Sequence, residues 1–130
     1  MSGAADIRAW LEKADEDRLC VRNEMAAAQT PWAVASFHAQ QSAEKTLKAL
    51  PVAHGHFPPR VHDLARLLDL CLPFETSLEE LREDCERLSQ YAVDVPYPDI
   101  GNNVAEAIGR EAVGAAERIC EAVRQLLPKN

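Results

Sequence analysis

Apolar residues recur every three or four positions along most of this chain, a spacing that suits amphipathic helices and excludes the two-residue alternation of half-buried strands. From Ala5 to about Ala28 the repeat runs through Ile7, Leu11, Ala14, Val21, Met25 and Ala28, with Trp10 widening the stripe. Thr30 and Pro31 read as the N-cap and first-turn proline of a second helix reaching about Leu50, where Pro51 is expected to end it. The stretch 51–61, PVAHGHFPPRV, cannot be helical throughout. A short helix is predicted from about His62 to Cys71 and is closed by Pro73. Ser77 and Glu80 have the spacing of a capping box for a helix reaching about Val93. After VPYPDIGNN, Asn102 or Asn103 is placed to cap a last helix that follows Val104, Ile108, Ala115, Ile119, Ala122 and Leu126 to about Leu127. Ala112, Gly114, Ala115 and Ala116 form a small-residue face that another helix could approach closely. The expected fold is all-α: an antiparallel up-and-down four-helix bundle with one additional short helix, formed by residues 1–130 as a single domain.

Composition narrows the function. With 14 Lys and Arg against 21 Asp and Glu, the chain carries a formal charge of -7, which repels a long polyanion unless positive charge is gathered locally. The acidic start lacks the apolar core of a signal peptide, and no window approaches the roughly 18 apolar residues of a membrane span, so a cytoplasmic protein is expected. Cys20, Cys71, Cys85 and Cys120 are dispersed without a CxxC pair, which points to reduced, buried thiols and not to a zinc or redox motif.

The positive charge is gathered in one place. All four histidines lie between His38 and His62, and that window holds Lys45, Lys48 and Arg60 against Glu44 alone. Its formal charge is therefore +2, leaving -9 for the rest of a chain whose total is -7. Gln41, Lys45 and Lys48 share one face of the second helix, as do Gln40, Glu44 and Lys48. Ammonium groups and amides on one face could hold a phosphate and read a base edge. A solvated face with a Glu44–Lys48 pair is the simpler alternative. His54 and His56 could point two imidazoles the same way, but a metal site usually needs three or four ligands, and none is expected. His62-Asp63 has no further histidine downstream to build a metal-dependent phosphohydrolase, and Asp63 equally suits a helix cap. No phosphate-cradling glycine loop and no activated nucleophile is evident. Tyr91, Tyr97, Pro96 and Pro98 could edge a ligand or pack over a turn.

The run from Phe37 to Leu50, FHAQQSAEKTLKAL, resembles the signature of the HEPN family, the higher eukaryotes and prokaryotes nucleotide-binding domain. Trp10 and Ala14 in the first helix, His62-Asp63-Leu64, and Tyr91 followed by Tyr97-Pro98-Asp99 stand in the family's order, so the resemblance spans nearly the whole chain. It implies a commonly dimeric bundle that binds nucleotide or RNA, often beside a minimal nucleotidyltransferase in a toxin–antitoxin pair. Carried over residue by residue, it assigns Gln41, Glu44, Lys45 and Lys48 to the polar face of the signature helix, and His62 and Asp63 to its histidine–aspartate corner.

The ribonuclease members of the family carry an arginine followed, after four to six residues, by a histidine. No arginine of this chain has a histidine at that spacing, and the family's Arg-Tyr-Pro turn reads Pro96-Tyr97-Pro98 here. The expectation is therefore a binding module without a complete catalytic motif and without a cofactor. Its nucleotide or phosphate site would comprise Gln41, Glu44, Lys45, Lys48, Arg60, His62 and Asp63, and its partners would be nucleotide or RNA, a nucleotidyltransferase and a second copy of the chain. Two alternatives remain open: a homodimeric interaction domain that binds no nucleotide, and an atypical metal-independent ribonuclease using His38, His54, His56 or His62.

Overall fold

The computed structural model describes residues 4–92 and 104–128. Among them every regular element is helical: α1 (Ala4–Ala26), α2 (Trp32–Ala53), α3 (Leu64–Cys71), a 3-10 turn (Thr76–Leu81) that runs directly into α4 (Arg82–Ser89), and α5 (Glu106–Leu126). Four rods, the fourth being α5 and the third the 3-10 turn plus α4, make the bundle, and α3 is the extra short helix.

Contacts along the rods give their directions. His38 meets Glu24, Lys45 meets Asp17 and Lys48 lies over Trp10, so α1 and α2 run antiparallel. Arg118 binds Asp84, and Arg124 binds Asp15. Helices α2 and α5 run parallel across the bundle, because Trp32 meets Gly109 while Ser42 and Thr46 meet Cys120. Parallel rods are the diagonal pair of an up-and-down bundle, and a diagonal contact requires small side chains. Ala35, Ala39 and Ala43 of α2 and Ala112, Ala115 and Ala116 of α5 are all buried, so the bundle's own packing uses the small-residue face. Leu47, Leu50, Leu64, Leu67, Leu68, Leu88, Ile119 and Val123 fill the remaining core.

Several boundaries differ from the sequence reading, each for a local reason. Thr30 does not cap α2: Pro31 occupies the N-cap, and the Thr30 hydroxyl instead donates back to the Met25 carbonyl at 3.4 Å. Pro31 itself, at φ -78° and ψ 85°, lies outside the helical region, which moves the helix start one residue on, to Trp32. Pro51 does not end α2, which continues to Ala53. The missing Pro51 N–H leaves the Leu47 carbonyl without its helical donor, and the Cys71 thiol donates to that oxygen at 3.4 Å. The chain turns off the helix at Gly55, whose φ of 85° a side chain would rarely adopt.

Ser77 and Glu80 do not form a capping box. The Ser77 hydroxyl donates to Glu75 at 3.2 Å, the segment is a 3-10 turn, and α4 begins at Arg82 without a side-chain cap. Helix α4 ends at Ser89, short of Val93, and the Ser89 hydroxyl donates back to the Cys85 carbonyl at 2.9 Å. Helix α3 starts at Leu64, two residues after His62, with Asp63 as a true N-cap accepting from the Ala65 and Arg66 amides. Helix α5 begins at Glu106 with Ala105 as its N-cap and no side-chain cap, so neither Asn102 nor Asn103 caps it; these two, with Pro96, Tyr97 and Pro98, lie outside the described residues. All four cysteines are free thiols. Burial pushes Cys71 and Cys85 up to about 12, which keeps both as inert packing groups.

Candidate functional site

The outer face of α2 buries charge. Glu44 is only 5% exposed, and its carboxylate accepts from Lys48 Nζ at 3.0 Å, His62 Nδ1 at 2.9 Å and Gln40 Nε2 at 3.2 Å. Burial would push the Glu44 carboxyl up, but the hydrogen bonds from His62, Lys48 and Gln40, together with the Lys48 charge, outweigh it and hold the group below the ordinary carboxylate value. Gln40 is fully buried and also donates to the His62 backbone carbonyl at 3.2 Å, so the loop after α2 is tied to the helix at both the backbone and the side chain of His62, by Gln40 and by Glu44. Lys48, also buried, lies 5.9 Å from the centre of the Trp10 ring, near enough for a cation–π contact.

His62 is the open end of this cluster. An ionised carboxylate only accepts, so the Glu44 bond requires the hydrogen on Nδ1 and turns Nε2 away from it. The His62 side chain is 76% exposed while its carboxylate anchor is buried. Such a pair holds an imidazole in one tautomer and one orientation at the surface, where Nε2 can meet a phosphate, a ribose hydroxyl or a base edge.

The other residues expected at the site are placed less closely. Gln41 is joined through Gln40, to whose side-chain oxygen its Nε2 donates at 2.7 Å. Lys45 turns to the α1 side and binds Asp17 at 2.6 Å, so its charge is matched within the fold. Arg60 is exposed two residues before His62 and makes no ion pair among the described residues. Asp63 serves the backbone as the α3 cap and also accepts from the Ser89 hydroxyl at 3.3 Å. The remaining histidines are apart from the cluster: His38 pairs with Glu24 at 3.0 Å, while His54 stacks on Phe74 at 4.5 Å and His56 meets the edge of the same ring at 5.2 Å. Among the described residues, no three His, Cys, Asp or Glu side chains converge as a metal site would require.

Three contributors were not assigned to the site from sequence. Gln40 was visible in the i, i+4 series Gln40–Glu44–Lys48. Trp10 carries part of the family resemblance but no role at the site, and Asp17 had no local signal; both reach the site only when α1 folds back along α2. A groove of about 380 Å³ adjoins the cluster at Trp10 and is walled on its other side by Val52 and the turn from Gly55 to Pro58.

No helix among the described residues is long and apolar enough to cross a membrane. A comparison with curated proteins returns no match. Among solved structures, the chain is similar to the crystal structure of a protein described as TT1696 from Thermus thermophilus, at 29% identity and a TM-score of 0.80, over 93% of this chain and 98% of that one. A family model described as the HEPN domain matches residues 7–126. With that match extending from the first turn of α1 to the end of α5, the chain belongs to the HEPN domain family, a family of nucleotide- and RNA-binding helical modules.

Proposed function

We propose that this protein is a non-enzymatic nucleotide-binding module whose ligand meets the outer face of α2 and the loop before α3. The observation that carries this reading is the buried Gln40–Glu44–Lys48 set holding an exposed His62. Burying an ion pair gains little stability compared with an apolar core, so a cluster whose outward product is a fixed imidazole is better explained by what that imidazole binds. Arg60, His62 and Gln41 form the accessible edge, and Lys45 joins them when a phosphate competes with Asp17. Glu44 and Lys48 act as positioning residues behind His62, and Asp63 fixes the loop by capping α3. The module works as a homodimer beside a minimal nucleotidyltransferase, in a toxin–antitoxin-type pair, as the family relationship suggests.

A two-dimensional amide NMR titration with ATP at low salt, with and without magnesium, tests the site. Shifts are expected in residues 40–48 and 60–63, and a flat titration would reject nucleotide binding. Co-expression with a nucleotidyltransferase encoded beside the gene, followed by mass measurement in solution, tests the partner: the expected result is a complex, and two separate species would reject it.

A further inference from the structure

The groove next to the cluster has aromatic walls, and the cluster itself does not account for them. On one side stand Asp6 and the half-buried Trp10 of α1, the carboxylate suiting the base or sugar end of a ligand and not its phosphate; on the other are His56 and Phe57, with Phe57 92% exposed. What sets Phe57 apart from other exposed apolar side chains such as Leu19 and Leu70 is that it lines the same groove as Trp10, so two aromatic rings border one space. The turn that carries Phe57 is fixed. The Gly55 and His56 amides donate to the Val52 and Pro51 carbonyls, each at 3.0 Å, the His54 and His56 rings both rest on Phe74, and Pro58 follows. The volume of about 380 Å³ lies at the small end of the range for small-molecule sites, enough for one nucleoside and too little for a strand.

Resting on the nucleotide-binding reading above, we propose that this groove is the base subsite: a single nucleobase stacks against Phe57 and Trp10 while the phosphate end of the nucleotide reaches His62. Trp10 connects the two halves, since its ring lies over Lys48, whose ammonium group binds the carboxylate that holds His62. Aromatic stacking needs no positive charge, so it suits a chain with a formal charge of -7. The ligand is a mononucleotide and not a long nucleic acid, because outside the 38–62 window the chain carries -9 and would repel an extended phosphate backbone.

The test uses the full chain, isotope-labelled, with three probes: adenosine, inorganic phosphate and ATP. Adenosine is expected to move the Trp10 indole N–H and the amides of residues 55–57, and phosphate alone to move His62 but not Trp10. Phe57→Ala should weaken adenosine binding about tenfold, the usual scale for losing one stacking partner, and leave the phosphate shifts intact. Phe57→Tyr, which keeps the ring, should bind as the parent does. Adenosine that leaves Trp10 unmoved, or that binds Phe57→Ala as well as the parent, overturns the base subsite. If ATP still moves residues 60–63 in that case, nucleotide binding survives without this groove; if ATP moves nothing, both readings fail.

Discussion

Helix α2 buries two faces made of opposite materials. Toward α5 it presents Ala35, Ala39 and Ala43, small side chains that let two parallel helices meet across the bundle. Toward the loop before α3 it presents Gln40, Glu44 and Lys48, long polar side chains at 0–6% exposure that are linked by hydrogen bonds to one another, to Gln41 and to His62. The first face is cheap to bury and specifies how the helices approach. The second is costly to bury and specifies where one surface imidazole sits. If the polar face serves binding, as proposed, one helix separates folding from binding by its angular position, and substitutions on the two faces should fail in different ways.

The largest effect is expected at Glu44. Glu44→Ala leaves the buried Lys48 without its counter-ion and should destabilise the protein by about 3 kcal/mol, read as a shift in the denaturant midpoint. A much smaller loss would mean that water already reaches the pair. On the other face, an alanine Cβ at Gly109 would lie 2.5 Å from the Trp32 ring, closer than carbon atoms approach. Gly109→Ala should therefore cost about 1 kcal/mol even after the gain in helix propensity, and its nucleotide affinity should not change.

Acid should separate the faces further. Because the folded protein holds the Glu44 carboxyl below its ordinary value of 4.5, the stabilisation it contributes is fully present above that pH and is lost as pH falls through the lowered value. Thermal melts across that window should show the parent and Glu44→Gln converging as the pH falls, whereas Gly109→Ala keeps a constant offset from the parent. The smallest stability change is expected at Lys45, whose partly exposed pair with Asp17 lies on the margin of the site. Lys45→Ala should alter stability by no more than about 1 kcal/mol while weakening ATP binding, and calorimetric titration measures the second effect.

The bundle was legible because helix periodicity is a local property, and Leu64, Leu67, Leu68 and Cys71 announce a buried face by spacing alone, whereas the stripe expected in α5 holds buried Ala115 and Ile119 but also exposed Ile108 and Leu126. The misread boundaries have non-local causes. Pro51 stays helical because a thiol from α3 serves the Leu47 carbonyl, which no reading of residues 47–55 could anticipate. Likewise, the i, i+4 spacing of Gln40, Glu44 and Lys48 showed a polar face, but not that Glu44 would be its buried centre and His62 its exposed tip. Nor could it show that Lys45 would be turned toward Asp17, a partner 28 residues away along the chain.

The proposal requires the charges on the outer face of α2 to serve ligand binding and to be dispensable for folding. An ATP titration of the Glu44→Leu/Lys48→Met double variant alongside its melting curve tests both requirements at once. A melting temperature at or above that of the parent is expected, since a matched apolar pair replaces a buried ion pair, together with ATP affinity reduced about tenfold once His62 loses its anchor. A double variant that unfolds, or one that binds ATP as tightly as the parent, would contradict the proposal.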